Sequence, residues 1–299
     1  MLEIRLFGAT TATTSQGAVG PAELGGVKPR QILEILAVAA GAPVPKDHLA
    51  DLLWDGRPPR SYLGTLESYV CVLRRSLGLA RGRGSAIATV THGYVLDPAA
   101  VRIDLVEFRT LVRAAVSAEP AVALGNLEDA LALVRGDLFA GEAYATWAIR
   151  ERAVFQSEMV AAASLAATHA LELGELGVAV RMARTAIAND ALAEEAWRLL
   201  MQALRASGRR SEALRAYFEL RDTLIDELGA DPAPESQELY LEILRDGDSA
   251  AAGVRVDGRD EVRMLMRLLR QAVASIPGLE EPRSDRALAE VAASLVGAA

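Results

Sequence analysis

Three residue pairs in the second half of the chain share a spacing of 34 residues. The pairs are Leu165 with Leu199, Gly174 with Gly208, and Ala179 with Ala213. This period is typical of stacked helical hairpins, in which the glycine lies between paired helices and the alanine lets them approach closely. Such repeats bury their apolar faces by stacking neighbouring hairpins. The spacing therefore predicts a tetratricopeptide-like helical domain.

From residue 104 onward the chain has the apolar periodicity of helices almost throughout. Asp104 is expected to cap the first of them. The helices are predicted at 105–118, 120–135, 143–173, 175–189, 192–207, 209–228 and 234–245. Residues 247–258 lack this periodicity and are predicted to be a linker, followed by a C-terminal helical extension over 259–299. The helical stack is accordingly assigned to residues 99–246.

The first part of the chain has a different order of elements. Its start alternates apolar and polar residues, which predicts a strand over 2–7. Three helices and a two-stranded hairpin are predicted to follow. The helices lie at 29–41, 46–54 and 59–78, and the strands at 87–90 and 94–96. This order is typical of a winged helix-turn-helix with an extra N-terminal sheet, assigned to residues 1–98, so the whole fold is predicted to be mainly α.

The helix at 59–78 has one apolar stripe at helical spacing, with small polar residues on its other faces and arginines near its end. The stripe contains Leu66, Val70, Leu73 and Leu77. Pro59 suits the start of a helix and Gly78 suits its end. Periodicity alone leaves open a helix that lies in a DNA groove and a core helix with a solvated face, of which the second is the more frequent. The flanking helices and the hairpin favour the first.

Charge is distributed unevenly along the chain. The 299 residues have a formal net charge of −8. Residues 1–97 contain ten Lys and Arg against eight Asp and Glu, a net charge of +2 that leaves −10 for the remainder. This distribution argues against a uniformly basic nucleic-acid binder and is compatible with DNA contact at one end only.

The sequence lacks the residue constellations of an enzyme or a metal site. Its histidines, His48, His92 and His169, are far apart and lack metal-ligand spacing. The single cysteine, Cys71, excludes an internal disulfide and a cysteine-rich metal site. No glycine-rich phosphate loop is present, so we expect no cofactor and no catalysis. Neither a signal peptide nor a membrane-spanning stretch is evident, and a cytosolic location is expected.

Short motifs spread over residues 2–245 carry a resemblance to a known family. In the first domain they are Lys28-Pro29-Arg30, Val44-Pro45-Lys46-Asp47-His48-Leu49, Pro58-Pro59-Arg60-Ser61, Thr65-Leu66, Leu73-Arg74-Arg75 and Gly93-Tyr94. In the second they are Arg135-Gly136-Asp137, Glu212-Ala213-Leu214 and Glu227-Leu228-Gly229-Ala230-Asp231-Pro232. With these motifs in this order, the chain resembles the SARP family, the Streptomyces antibiotic regulatory proteins. That family joins an OmpR-type winged helix to a bacterial transcriptional activator domain.

The resemblance implies a transcriptional activator. Such proteins bind double-stranded promoter DNA, often at direct repeats, as side-by-side homodimers. They contact RNA polymerase holoenzyme and switch on antibiotic or other secondary-metabolite gene clusters. The helix at 59–78 would be the recognition helix.

The sequence departs from the family within this helix, because Glu67 replaces a common Gln and Val72 replaces a common Arg. An acid is repelled by phosphates, and the loss of an Arg removes a guanine donor.

Eight residues are candidates for contact with DNA. They are Arg60, Ser61, Thr65, Ser68, Val72, Arg74, Arg75 and His92. Arg60, at the helix start, is a candidate for phosphate contact. Thr65, Ser68 and Val72 share an outward face and are candidates for reading base edges, Val72 through a thymine methyl group.

The sequence favours one role for Arg75 and leaves two roles open for each of Arg74 and His92. Arg75 points away from the apolar stripe, which favours DNA contact. For Arg74, DNA contact and complementation of the helix dipole stay equally open. His92, at the wing tip, is either a minor-groove contact or an ordinary turn residue. An alternative function also stays open: a helical-repeat protein-interaction adaptor whose winged helix is degenerate.

Overall fold

The computed structural model describes residues 1–79 and 85–251. Its first region contains β1 (Leu2–Arg5), β2 (Thr11–Thr14), β3 (Gly17–Val19), α1 (Val27–Val38), β4 (Val44–Pro45), α2 (Lys46–Trp54), α3 (Tyr62–Ser76), β5 (Ile87–Val90), β6 (Gly93–Leu96) and β7 (Val101–Ile103). Its second contains α4 (Asp104–Val116), α5 (Pro120–Leu133), α6 (Thr146–Glu172), α7 (Leu176–Asn189), α8 (Glu194–Ala206), α9 (Arg210–Leu228) and α10 (Pro234–Ala251). The predicted fold class, mainly helical with small N-terminal sheets, is confirmed.

The N-terminal sheet combines strands that are far apart in sequence. Its order is β3-β2-β1-β7, with β1 antiparallel to β2 and parallel to β7. The alternation in β1 buries Leu2 and Ile4, which are 4% and 0% exposed. β7 lies beyond residue 98, the predicted end of the first domain, yet it completes this sheet because it is the parallel partner of β1.

Asp104 joins the N-terminal sheet to the first helix of the second region. α4 begins at Asp104 itself. The carboxylate accepts hydrogen bonds from the backbone N–H groups of Leu6 and Phe7 at 2.9 and 3.1 Å, and one from Leu105. Burial raises the pKa of Asp104, and these N–H groups oppose that rise. The expected helix cap therefore serves mainly as a tie between α4 and the end of β1.

The helix-turn-helix and its wing are present in the predicted order. α2 has the predicted bounds, and the four apolar residues of the α3 stripe are each at most 2% exposed. β5 and β6 form the wing hairpin, and β4 joins it as a third strand through the pairing of Val44 with Tyr94. The second sheet therefore anchors the wing to the segment that leads into α2.

The helical hairpins turn at glycines. Gly174 lies between α6 and α7 and Gly208 between α8 and α9, with φ angles of 75° and 71°. Glycine adopts this left-handed conformation without a side-chain clash. Ala179 and Ala213, at the start of the second helices, are fully buried. Both repeat pairs therefore occupy the places that their spacing predicts.

The last described helix extends further than predicted. α10 continues past residue 245 to Ala251 and so includes the start of the predicted linker at 247–258. A glycine inside a helix, here Gly247, destabilises the helix by about 1 kcal/mol relative to alanine, yet α10 continues through it. The remainder of that linker and the predicted extension at 259–299 lie outside the described residues.

A group of buried polar residues connects α1 with the loop before α6. Arg30 donates to one carboxylate oxygen of Glu142 at 2.6 Å, and Gln31 donates to the other at 2.5 Å. Thr10 donates to Glu34, which is fully buried and lies 3.6 Å from Arg30. We call these five residues the buried polar cluster. Residues Met1–Tyr240 form one compact unit, and the cluster lies inside it.

Candidate DNA-binding surface

α3 presents two unlike faces. Its apolar stripe is buried, while Ser61, Gly64, Ser68 and Arg75 are exposed on the opposite side. These residues are three, four and seven positions apart, so they share one face of the helix. We call them the outward face of α3. A helix with a buried stripe and a small, polar outward face fits the major groove of DNA.

Two hydroxyl groups on or beside the outward face are bonded to the helix itself. Thr65 donates to the carbonyl of Ser61 at 3.1 Å, and Ser68 donates to that of Gly64 at 2.9 Å. A hydroxyl that donates in this way keeps lone pairs with which to accept from a base amino group. Ser68 is exposed and Thr65 is half-buried, so Ser68 is the more accessible of these two hydroxyl-bearing candidates for reading bases.

Arg60 and Arg75 are both exposed. Among the described residues, neither guanidinium forms an ion pair or a hydrogen bond to another side chain. A guanidinium without a protein partner is available for bidentate contact with phosphate or guanine. Arg60 precedes α3 and Arg75 lies in its last turn, so the two place positive charge at opposite ends of the outward face.

Arg74 differs from its neighbour Arg75, because it holds the wing. Its guanidinium donates to the carbonyl of Ile87 at 2.8 and 3.1 Å and to the hydroxyl of Thr89 at 2.9 Å. It also lies 6.0 Å from the centre of the Tyr94 ring. Arg74 lies in the last turn of α3, where a cation complements the helix dipole, and its contact with DNA stays a prediction. Its guanidinium also fixes β5 against α3.

Val72 packs against protein. A Cβ atom added to Gly25, in the loop before α1, would overlap Cγ1 of Val72. The side chain is half-buried by this approach. Val72 therefore makes a packing contact that connects α3 with the loop before α1, and its contact with a thymine methyl group stays a prediction.

Lys46 and Glu67 form an ion pair at the edge of the outward face. Nζ of Lys46 lies 2.7 Å from Oε1 of Glu67, and this hydrogen bond raises the pKa of Lys46. Lys46 also lies 5.7 Å from the centre of the Tyr94 ring. Neither partner was among the predicted contact residues, because they belong to different helices and are 21 positions apart. The sequence signals for this ion pair are Lys46, directly after Pro45, and the acidic Glu67 within α3.

His92 occupies the tip of the wing. Its side chain is exposed, and its carbonyl accepts a hydrogen bond from the backbone N–H of Lys46 at 2.9 Å. The wing tip is therefore tied to the start of α2 by its backbone, which leaves the imidazole in solvent. Whether the imidazole enters a minor groove stays a prediction.

In residues 1–79 and 85–251 no group of three or more His, Cys, Asp and Glu is placed to hold a metal ion. No helix within that part of the chain is long and apolar enough to cross a membrane.

Two family models match the chain, one for each region. Residues 25–96 match the family described as "Transcriptional regulatory protein, C terminal", and residues 103–244 match the "Bacterial transcriptional activator domain". The first match contains the helix-turn-helix and wing, and the second contains helices α4 to α9 and part of α10.

Individual proteins align over both regions. Regulatory protein DnrI of Streptomyces peucetius is 32% identical over 82% of this chain and 92% of its own length. Transcriptional regulator RedD of Streptomyces coelicolor is 29% identical over 81% of this chain and 70% of its own. The solved structure of Mycobacterium tuberculosis EmbR, in complex with a low-affinity phosphopeptide, superposes with a TM-score of 0.70 at 26% identity. That superposition covers 91% of this chain and 71% of the EmbR chain.

Proposed function

The chain belongs to the SARP family of transcriptional regulators, and from that premise we propose that it activates transcription by binding promoter DNA through α3 and the wing. Membership of this family makes the chain a transcriptional regulator, and its relatives are likewise regulators and not enzymes. The observation that carries the proposal is the outward face of α3, on which Ser68 and Arg75 are both exposed. Arginine supplies guanine or phosphate contact, and the hydroxyl accepts from base amino groups.

The roles of the two regions follow from their charge. Residues 1–97 carry +2 and the remainder carries −10. DNA phosphates attract the first region and repel the second. The acidic helical repeats are thereby left available for protein partners, and we assign to them the contact with RNA polymerase holoenzyme. The targets proposed are direct repeats in promoters of a secondary-metabolite gene cluster, bound by a side-by-side homodimer in the cytoplasm.

Footprinting of the purified chain on its own gene neighbourhood tests this function. We expect protection of repeated sequences, with an affinity that falls steeply as salt rises from about 50 to about 200 mM. A chain that protects no sequence there, even at the lowest salt, would contradict the activator function. The degenerate-wing adaptor, which uses its helical repeats for protein contact alone, predicts that negative result.

Arg75→Ala tests the recognition face directly. The loss of one bidentate guanine contact costs about 1–3 kcal/mol, so we expect specific affinity to fall by roughly tenfold or more. The fold should be unaffected, because Arg75 is exposed. Arg113→Ala is the matched control, since Arg113 is exposed on α4 and bonds only within its own helix. If the two variants bind the footprinted DNA equally well, Arg75 is not part of the interface.

A further inference from the structure

The Lys46–Glu67 ion pair lies where α2, α3 and the wing meet. Lys46 is the first residue of α2. Its backbone N–H bonds to the wing at His92, and its ammonium group bonds to Glu67 on α3. Glu67 directly precedes Ser68 and follows Gly64 by three residues. Residues three apart are neighbours on a helix, so the carboxylate borders the outward face at Gly64.

The pair contributes little to folding. The side chains of Lys46 and Glu67 are 22% and 60% exposed. Water solvates charges in such positions well, and the attraction between them is weak. The rest of the winged helix is held by the buried stripe of α3 and by the contacts of Arg74. An ion pair that the fold does not require is free to be exchanged for another partner.

DNA would supply that partner. A phosphate that approaches the edge of the outward face meets an ammonium group already neutralised by Glu67. Lys46 must therefore either share its N–H donors between the two anions or release the carboxylate, and in both cases the carboxylate faces the negatively charged backbone. Both effects reduce the number of counterions that binding displaces and weaken the complex.

We propose that Glu67 is an internal counter-ion that competes with a DNA phosphate for Lys46, and that it thereby sets the affinity and salt dependence of DNA binding. This inference rests on the proposed function. Its distinguishing feature is that the effect of Glu67 passes through Lys46 and is the same for every DNA sequence, because phosphates carry no sequence information.

The experiment is a double-mutant cycle in the full chain with Glu67→Gln, Lys46→Gln and both together. Glutamine keeps the size of each side chain and removes its charge. Fluorescence anisotropy would measure affinity between about 50 and about 200 mM salt. The probes are a duplex that the wild type selects from a random library and a scrambled duplex of equal length. Glu3→Gln is the charge-matched control, since Glu3 is a half-buried, ion-paired glutamate on β1.

We expect Glu67→Gln to tighten binding to both duplexes by roughly fivefold to tenfold at low salt, and to steepen the salt dependence by about 0.9, the slope of one phosphate contact. The double variant should lose both gains, and Glu3→Gln should show neither. Thermal unfolding of Glu67→Gln should match the wild type.

Three results would overturn the inference while leaving the proposed function standing. The first is a gain that persists fully in the Lys46→Gln background, which is simple charge repulsion. The second is no gain beyond that of Glu3→Gln. The third is weaker discrimination between the duplexes without a steeper salt slope, which identifies Glu67 as a reader of bases. A wild-type chain that binds neither probe overturns the proposed function itself.

Discussion

Glu34 is a residue whose ionisation depends on its place in the fold. Its side chain is fully buried, and burial raises its pKa to about 8. The nearby cation, Arg30, lies 3.6 Å from Glu34 but 2.6 Å from Glu142. One guanidinium therefore serves two carboxylates, and it serves Glu142 at the shorter distance. Glu34 is consequently protonated at neutral pH.

The raised pKa of Glu34 predicts how stability changes with pH. An acid whose folded pKa lies above its usual 4.5 stabilises the fold fully below about pH 4.5, and this stabilisation is lost as pH rises through about 8. We expect the free energy of unfolding to fall by about 2–4 kcal/mol between about pH 6 and pH 9. Glu34→Gln, which cannot ionise, should remove most of that fall in urea titrations. Equal pH dependence in the variant and the wild type would assign the effect to another group.

Among the helices, the repeat turns require glycine for a backbone reason alone. Gly208 has a φ of 71°, and a Cβ atom built there meets nothing within 4 Å. Gly208→Ala should therefore lower the free energy of unfolding by about 1–2 kcal/mol through the left-handed backbone. Gly177, inside α7, also has open space around it and lacks the positive φ. Gly177→Ala should stabilise by about 0.5–1 kcal/mol. If both variants shift the urea midpoint in the same direction, the φ angle of the replaced glycine does not determine whether alanine stabilises or destabilises the fold.

The elements that were predictable from sequence are those whose residues repeat at a fixed period. The bounds of α2 and the buried stripe of α3 follow from local spacing, because a single helix determines which of its side chains share a face. The 34-residue repeat extends this logic to helix pairs. β4 and β7 were not identified, since a strand of two or three residues has no period and pairs with distant partners.

The candidate surface was predictable as a helix face but not as a set of side-chain partners. Spacing places Ser68 and Arg75 on the outward face of α3, where the structure has them. It does not show that Arg74 bonds to β5 or that Val72 meets Gly25. These contacts depend on how the wing and the loop before α1 pack, and they set Arg74, which holds the wing, apart from its exposed neighbour Arg75.

At the scale of the whole molecule, the winged helix and the first helices of the repeat region share a core. The rings of Phe7, Phe108 and Phe155 pack together with centroids 5.0 to 6.3 Å apart. These residues come from the segment after β1, from α4 and from α6. The aromatic core and the buried polar cluster together connect the winged-helix region to the helices that we assign to polymerase contact. Rigid connection of the two regions would fix their spacing on a promoter.

The buried polar cluster predicts cooperative unfolding of the two regions. Glu142 is 4% exposed and accepts from both Arg30 and Gln31. Its removal leaves the Arg30 guanidinium without its closest carboxylate, which costs about 3–5 kcal/mol for a buried pair. Residues Met1–Tyr240 form a single compact unit. For the wild type we therefore expect one main calorimetric transition of these residues. Glu142→Ala should lower that transition and separate it into two, because we expect the shared aromatic core to couple the regions less strongly once the polar cluster is lost.

Glu172→Ala is the matched control for this experiment. Glu172 pairs with His169 on α6, and its side chain is 53% exposed, so its removal should change the free energy of unfolding by less than about 1 kcal/mol. A Glu142→Ala chain that unfolds in one transition, shifted no further than Glu172→Ala, would show that the aromatic core alone couples the regions. A split transition instead assigns the coupling to the polar cluster, since Phe7, Phe108 and Phe155 are unchanged in both variants.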